Sequence, residues 1–270
     1  MSTAPTLVEE ARDRSDRTRR RLRLAGLVVA GYLVAFAVWE FASSTLFNPY
    51  VLPGPVAVLG TTWELFVSGA ALFHFGASIG KIALGFTFAT LIGAPIGVAM
   101  GRSPYWRSFF HDPMMVAGNV PGLTYAVFGL VLFGISDVGP VVAVTLVAMP
   151  YVALNVCEGV EGVDPHLLEL SAVYERPFGA VVRHVLVPSV APFAFAAVRY
   201  GFAMAWKVGA LTEVFGGASG IGFQIKHAYQ EFSVTGVLAW TAVFVLAMVL
   251  IEKVVLARLE ARFFSWRGDV

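Results

Sequence analysis

Three ionisable residues lie in or at the end of a long apolar run at about residues 189–212, where a charge is expensive and needs a reason. Arg199 and Lys207 are eight residues apart, about two helical turns, so they lie near one face, and Glu213 follows near the end of the run. Facing a pore, such a stripe could attract an anion or pair internally across a dimer axis. Alternatively, Arg199 and Glu213 extend to opposite membrane surfaces and only Lys207 is deep. If the stripe faces a path for a solute, Lys207 is the best single candidate for specificity.

Sequence signatures of catalysis and of nucleotide or metal binding are absent. The sequence contains no HExxH, no GxSxG and no paired intramembrane carboxylates, and Cys157 beside Glu158 is too weak a motif. The stretch GASIGK at 76–81 has the wrong glycine spacing for a phosphate loop, and no Ser or Thr follows Lys81. The histidines are scattered and match no metal spacing. We therefore expect no enzyme activity, no cofactor, no metal and no ATP site of the Walker type.

The composition predicts an integral membrane protein. Of 270 residues, 57% are hydrophobic and only 14% are charged, which cannot cover a soluble surface. A membrane-spanning helix needs about 20 apolar residues. Six stretches qualify, at about residues 24–45, 77–100, 113–134, 138–157, 189–212 and 234–256. The predicted fold class is an all-α membrane protein with about six transmembrane helices.

The distribution of basic residues predicts the orientation. If the N-terminus is cytoplasmic, 15 of the 19 Lys and Arg residues fall in cytoplasmic segments and only Lys226 falls outside. Seven of them are arginines in residues 1–23, which we interpret as a cytoplasmic tail anchoring the first span. Recognition of anionic lipid or nucleic acid is the less favoured interpretation, and a cleaved signal peptide is a further alternative. We expect both termini in the cytoplasm.

Small residues and prolines mark special positions in the spans. Gly93, Gly97 and Gly101 repeat at a spacing of four residues, which predicts close packing against another helix. Asn119-Val120-Pro121-Gly122 interrupts the third span midway. Broken helices in a bundle occur where backbone lines a cavity, so Asn119 is a candidate for a translocation path, and a simple kink is the alternative. Residues 56–67 predict a short amphipathic helix on the outer face, with Trp63 as an interfacial anchor.

A polar island between two apolar runs, from Cys157 to Pro192, is too long and too ordered in pattern to be a simple tether. Asp164 suits the N-cap and Pro165 the first position of a helix that HLLELSAVY would continue. Pro177 should end that helix, and a second short helix should run until Pro188 and Pro192. We predict a short helix, a bend and another short helix at the membrane surface.

At these residues the chain resembles a known family. GVEGVDPHLLELSA, followed by RHVLVPSVAPF, resembles the cytoplasmic "EAA" loop of ABC importer permeases, in the branch that carries nitrate, sulfonates and taurine. LPGP, MGRS and GGASGIG resemble further family segments, so the likeness covers about residues 51–230. The chain departs from the pattern at Glu169-Leu170-Ser171, where the family has Glu-Ala-Ala, and at Glu175, where it has Gly. Because Gly permits a tight turn, we expect Glu175 and Pro177 to make the bend differently.

The resemblance implies that residues 158–188 form a coupling-helix loop that docks on a separate ATPase subunit. The coupling residues it implies are Asp164, Pro165, Leu168, Glu169, Ser171, Glu175 and Gly179. It also places Arg199 in a "GLR"-like position and Glu213 in an "AAE"-like position. The segment 215–229 resembles the family's outer re-entrant segment, for which a gate is the favoured interpretation.

The resemblance thus predicts the permease subunit of an ATP-driven importer in a bacterial inner membrane, carrying a small organic or inorganic anion such as a sulfonate or nitrate. The expected partners are a cytoplasmic ATP-binding subunit, an extracytoplasmic solute-binding protein, a second copy of the chain and membrane lipids, with no nucleic acid. The predicted domains are a basic tail at 1–23, a permease domain at 24–257 and a second cytoplasmic tail at 258–270. The alternative is an ATP-independent secondary carrier or channel.

Overall fold

The computed structural model describes residues 7–258 and residue 262, without the side chains of residues 7–22, 25, 255 and 256. Every regular element in these residues is a helix. The described chain divides into two compact units, residues 1–61 and 62–270. Most of the two predicted tails, at 1–23 and 258–270, lies outside the described residues or side chains.

The first unit is built on helix α1, Leu7–Phe41, which continues as a π-helical turn over Ala42–Leu46. Its part from Gly26 to Leu46 is long and apolar enough to cross a membrane, as predicted for the first span. The Trp39 indole N–H donates a hydrogen bond to the Pro53 carbonyl at 3.1 Å and so ties the following loop to the helix. Helix α2, Pro55–Val67, begins in the first unit and ends in the second, and it confirms the predicted short helix, with an exposed Trp63.

The second unit contains nine further helices in the described residues. They are α3 (Ala70–Arg102), α4 (Pro104–Asn119), α5 (Gly122–Phe133), α6 (Val138–Glu161), α7 (Pro165–Val173), α8 (Phe178–Val181), α9 (Val187–Gly216), α10 (Ile221–Gln230) and α11 (Val234–Leu250). A π-helical turn, Val182–Leu186, joins α8 to α9, and another, Ile251–Leu256, extends α11. By length and composition the described chain has five possible spans, or six if α4 and α5 form one broken span, which confirms the predicted number.

The glycines of α3 allow it to pack closely on α6, as the spacing predicted. A Cβ added at Gly93 would lie 2.8 Å from the Met149 carbonyl oxygen, and one added at Gly97 would lie 2.8 Å from Val156 Cβ. No side chain fits at these positions without moving a backbone. Further along, Ile82, Val144 and Trp206 join α3, α6 and α9 in one buried cluster. These three helices therefore form the core of the unit.

The interruption at Val120-Pro121 is a sharp bend and not a simple kink. Helices α4 and α5 meet at 92°, because Pro121 has no N–H and the chain is extended at both Val120 and Pro121. Such a break leaves helix carbonyls without partners, which is costly in a membrane. Tyr125 Oη donates to the Ala117 carbonyl at 2.7 Å, and Tyr151 Oη donates to the Gly118 carbonyl at 3.3 Å. The tyrosines make the break tolerable. Helix α4 begins at Pro104, earlier than the predicted start of the third span.

The prediction of a separate second short helix before Pro188 was wrong. Helix α8, the π turn and α9 form one continuous helical stretch, Phe178–Gly216, of 39 residues. Pro188 is the second residue of α9, directly after the π turn, and Pro192 lies inside the helix. The π turn just before them changes the hydrogen-bond register, with the Val187 N–H donating to the Val182 carbonyl. Helix α8 is thus continuous with the fifth span, whereas α7 is separated from it by the bend at residues 174–177.

Candidate functional site

Helix α7 begins at the predicted residue and by the predicted device. Asp164 is extended and its Oδ1 accepts a hydrogen bond from the His166 N–H at 2.9 Å, while Pro165 occupies the first helical position. An N-cap of this kind contributes about 1 kcal/mol to a helix that is too short to be stable alone. Asp164 and Pro165 thus give α7 a fixed start directly after the long helix α6.

The end of α7 corrects the expectation for Glu175. Its φ is +49°, the left-handed conformation that a glycine would adopt there, so the bend is made in the ordinary way. The Arg176 N–H donates to the Ser171 carbonyl and the Glu175 N–H to the Ala172 carbonyl, both at 3.0 Å. This is the Schellman arrangement that closes many helices, usually on glycine. The chain keeps the backbone geometry and accepts the strain of a side chain.

The loop from α7 to α8 presents apolar side chains to the exterior. The large exposed ones are Leu167, Leu168, Leu170, Val173, Tyr174 and Phe178. Glu169 is also exposed, and no atom would lie within 4 Å of a Cβ at Gly179. Ser171 differs, because its hydroxyl donates to the Leu167 carbonyl within the same helix at 2.7 Å. An apolar cavity of about 630 Å³ separates Leu168 and Phe178 from the ends of α3 and α6.

A buried polar cluster lies at the opposite end of α6 and α9. Lys81 of α3 and Glu213 of α9 form an ion pair, with Lys81 Nζ 2.8 Å from Glu213 Oε1 and the carboxylate side chain only 1% exposed. Lys81 Nζ also lies 3.1 Å from Asp137 Oδ1 and donates to the Ser219 carbonyl at 2.6 Å. One ammonium thus joins α3, α9, the start of α6 and the loop before α10.

The second carboxylate oxygen of Glu213, Oε2, accepts two hydrogen bonds. Glu213 Oε2 accepts from the Ser78 hydroxyl at 2.8 Å and from the Gly222 N–H at 3.0 Å, and Ser78 Oγ accepts from the Ile221 N–H at 2.9 Å. The glycines around it are needed for this approach, since a Cβ at Gly222 would lie 2.6 Å from Glu213 Cβ. The glycine-rich run after Glu213 therefore wraps around its carboxylate.

Asp137 closes the cluster on its exposed side. Both of its carboxylate oxygens lie 3.1 Å from the Ser219 hydroxyl. Burial opposes its charged form, but hydrogen bonds and the charge of Lys81, with help from Ser219, outweigh burial and lower the pKa of Asp137 below its ordinary value. Asp137 is therefore ionised at neutral pH, so Lys81 has two anionic partners.

The structure does not bring the four predicted pathway residues together. Glu213 is in the buried cluster, which contradicts the alternative that it extends to the membrane surface. Arg199 lies nearer the start of α9, and its Nη2 is 3.7 Å from Glu252 Oε1, with which it forms an ion pair. Lys207 is exposed and forms no hydrogen bond or ion pair with any residue the structure describes. Asn119 is exposed at the α4–α5 break, and its amide donates to the Met115 carbonyl at 2.7 Å. Of the two predicted pathway cations, Lys207 is thus the better placed to meet something outside the chain.

The sequence also matches a family profile, that of the "Binding-protein-dependent transport system inner membrane component", over residues 93–265. The chain belongs to this family of transport permeases. The match includes α7, the bend at Glu175, the long α9 and the glycine-rich loop, which are the parts of the structure described above.

Relatives that are named as transport permeases match over most of their length. The chain is 27% identical to the aliphatic sulfonates transport permease protein SsuC of Bacillus subtilis, covering 91% of this chain and 88% of that one. It is 27% identical to the taurine transport system permease protein TauC of Escherichia coli, covering 86% of each. The nitrate import permease protein NrtB of Synechococcus elongatus is 23% identical, covering 73% of this chain and 74% of that one.

Solved permease structures share the fold. A chain of the inward-facing MetNI methionine ABC transporter superposes with a TM-score of 0.58 at 20% identity, covering 68% of this chain and 91% of that one. A chain from an amino acid ABC transporter crystallised with histidines gives a TM-score of 0.57 at 18% identity, covering 74% and 96%. The helical architecture is therefore that of ABC transporter membrane subunits.

Sequence reasoning missed two residues of this permease that pair charges within the bundle. Lys81 was assigned no role beyond its place in a rejected phosphate loop, and Glu252 was not considered. A signal was present, because a cation in a span needs an acid nearby and the spans contain few acids. That rule would have called for an acid near Lys81, but it would not have chosen between Glu213 and Glu252.

Proposed function

We propose that this permease is the membrane subunit of an ATP-driven importer in a bacterial inner membrane, with both termini and the α7 end in the cytoplasm. The charges of the second unit support this orientation. Arg102, Arg107, Arg176 and Arg183 lie at the α7 end, whereas Lys226 is the one Lys or Arg of the loop and helix at the α10 end. Cytoplasmic loops of membrane proteins carry the excess of Lys and Arg.

The observation that carries this function is the exposed loop from α7 to α8. Helix α7 has a capped start and a defined end, and α8 is continuous with α9, yet the loop leaves Leu170, Val173, Tyr174 and Phe178 exposed. Exposed apolar groups on an ordered element mark a contact surface. We infer that a separate ATP-binding subunit covers it. The proposed coupling residues are Asp164, Pro165, Leu168, Glu169, Ser171, Glu175 and Gly179, of which the first two and Glu175 shape the helix.

Coupling would work through α9. When ATP closes two ATPase subunits, α7 would be displaced, and the helical stretch from Phe178 to Gly216 would transmit that displacement along its length. A second copy of the permease would supply the other half of the pathway. Lipids would cover the apolar outer surface, and a solute-binding protein would deliver the solute at the α10 end.

The solute is a small anion, organic or inorganic. The named relatives are permeases for aliphatic sulfonates, taurine and nitrate, which all carry an oxyanion. Lys207 and Arg199 provide positive charge along the fifth span, and Asn119 lies at the broken helix. We propose these three as pathway residues. Glu213 joins them through its buried pair with Lys81, as a positioning residue at the outer end of the pathway.

The test is assembly with an ATPase. The tagged permease is expressed with candidate ATPase subunits, solubilised gently and purified, and the double variant Leu168→Glu, Glu169→Lys is treated alike. We expect an ATPase to co-purify with the natural chain and to be lost with the variant. Glu231→Lys, an exposed charge reversal at the α10 end, is the matched control and should keep the ATPase. Solute flux that continues without ATP and without an ATPase would instead establish a secondary carrier.

A further inference from the structure

The cavity of about 630 Å³ beneath the loop from α7 to α8 has almost entirely apolar walls. It lies between that loop and the adjoining ends of α3, α6 and α9, and apart from Arg102 every described residue that lines it is glycine or apolar. A buried water needs about two to four polar partners, which such walls do not provide. If the cavity were empty, the side chains around it would lose packing contacts on one side. The cavity therefore suits an apolar occupant.

The walls of the cavity extend into the membrane-spanning part of the bundle. Val98 lies about one turn before the end of the third helix, α3, and its side chain is 39% exposed. Val187 begins α9 and is 56% exposed. Both valines line the cavity. Since these lining residues are exposed on two helices that can span a membrane, we infer that a lipid chain can enter from the bilayer.

Arg102 supplies the charge of the cavity. It is the last residue of α3, it is exposed, and it forms no hydrogen bond or ion pair with any residue that the structure describes. Arg107 of the next helix differs, because it is ion-paired with Glu161. No carboxylate lines the cavity in the described part of the chain. Arg102 thus places an uncompensated positive charge beside an apolar space.

We propose that this cavity holds one acyl chain of an anionic phospholipid, such as phosphatidylglycerol, with the lipid phosphate against Arg102. The volume corresponds to about twenty groups of the size of a water, at about 30 Å³ each, which is enough for one acyl chain. The planar guanidinium can donate two hydrogen bonds to phosphate oxygens. Basic pockets between spans at the cytoplasmic side recognise anionic head groups. Only the assignment to the cytoplasmic leaflet rests on the proposed function.

A protein segment fits the same cavity less well. Its backbone would bring N–H and C=O groups that find no partners at glycine and apolar walls, whereas an acyl chain has none. The proposed ATPase contact has other apolar groups, because Leu170, Val173 and Tyr174 are exposed and do not line this cavity. The lipid would therefore fill the space between the α7–α8 loop and the ends of the spans, and it would leave these three side chains to the ATPase.

The experiment is photolabelling of the full-length permease in phosphatidylcholine nanodiscs that contain a small fraction of probe lipid. Two probes carry the same photoactivatable acyl chain, one on phosphatidylglycerol and one on phosphatidylcholine, and mass spectrometry of peptides locates the label. The apolar and exposed stretch Gly26–Leu46 is the reference for general lipid contact. Relative to this reference, we expect the phosphatidylglycerol probe to label the lining segments about fivefold more than the phosphatidylcholine probe, because one arginine attracts an anionic lipid by about that factor.

Three variants separate the head group from the acyl chain. Arg102→Gln should remove the preference for phosphatidylglycerol and leave the label on the reference stretch unchanged. Arg183→Gln is the matched control and should keep the preference, because Arg183 is an exposed arginine of the same loop that does not line the cavity. Val181→Phe places a larger side chain at the cavity wall and should reduce the label from both probes by more than half.

Several outcomes would overturn the proposal. Equal labelling by both probes, or labelling no higher than at the reference stretch, would remove the lipid site. An equal loss in Arg183→Gln would indicate general surface charge instead. Labelling that disappears when an ATPase is bound, or in permease dimers but not in monomers, would assign the cavity to a protein interface.

This experiment also separates the lipid site from the proposed function, since the labelling needs no ATPase. Absent labelling in a permease that still co-purifies with an ATPase would refute the lipid site alone. Failed assembly with an ATPase, with the labelling intact, would refute the proposed function alone.

Discussion

Replacing Lys81 by methionine removes the cation of the buried pair and leaves the Glu213 carboxylate without a counter-ion. Methionine keeps most of the side-chain volume, so the change tests charge more than packing. The carboxylate would retain its hydrogen bonds from Ser78 and the Gly222 N–H, but these are weaker partners than an ammonium at 2.8 Å. The variant should therefore be destabilised strongly.

Breaking a buried ion pair by removing one partner costs about 3–5 kcal/mol. We therefore expect Lys81→Met to lower the free energy of unfolding by about 3–5 kcal/mol. In a unit of this size that corresponds to a fall of about 6–20 °C in the unfolding midpoint.

The assay is thermal unfolding of the purified permease at a fixed scan rate, with a double-mutant cycle. Glu213→Gln should cost less than Lys81→Met, because Lys81 keeps Asp137 and the Ser219 carbonyl. The double variant should be more stable than Lys81→Met alone, since it contains no unpaired buried charge. Lys253→Met, at an exposed position, is the control and should shift the midpoint little. A Lys81→Met variant as stable as the natural chain, or strictly additive losses, would refute the reasoning.

Three further predictions concern packing, backbone strain and pH. Gly97→Leu should destabilise the permease by about 2–3 kcal/mol in the same assay, because a Cβ added there would lie 2.8 Å from Val156 Cβ. Gly80→Leu is the matched control and should be tolerated, because no atom lies within 4 Å of a Cβ added at Gly80. Glu175→Gly should raise stability by about 1 kcal/mol, since it relieves a left-handed side chain, and an unchanged or lower midpoint would contradict the strain. The pKa of Asp137 is lower in the folded state, so its contribution to stability is fully present above its unfolded pKa and is lost as the pH falls through its folded pKa. Unfolding midpoints measured from pH 6 to pH 3 should show this loss on the acid side. Asp137→Asn should remove the part of the loss that Asp137 causes.

The sequence was sufficient where the signal is local or periodic. The apolar runs predicted the spans, Asp164-Pro165 predicted the start of α7, and the glycine repeat predicted the contact of α3 with α6. Each of these depends on neighbours in the chain or on one helix face.

The signal failed where distant segments meet. Lys81 and Glu213 are far apart in sequence, and no local pattern shows that one ammonium would reach a loop, two helices and the start of a third. Pro188 and Pro192 misled for a different reason. The rule that proline marks a helix boundary describes an ordinary α-helix. The π turn just before Pro188 changes which carbonyls need a hydrogen-bond partner.

The continuous helix from α8 to the end of α9 limits how far α8 can move relative to the far end of the fifth span. A break between α8 and the span would have let α8 move independently of the membrane. A helical stretch of 39 residues from Phe178 to Gly216 does not, and at 1.5 Å per residue it extends for about 58 Å. Glu213, near its far end, is fixed to α3 through Lys81. A rotation of α8 must therefore bend α9, carry α3 with it or break the ion pair, so the Lys81–Glu213 pair resists displacement of α8.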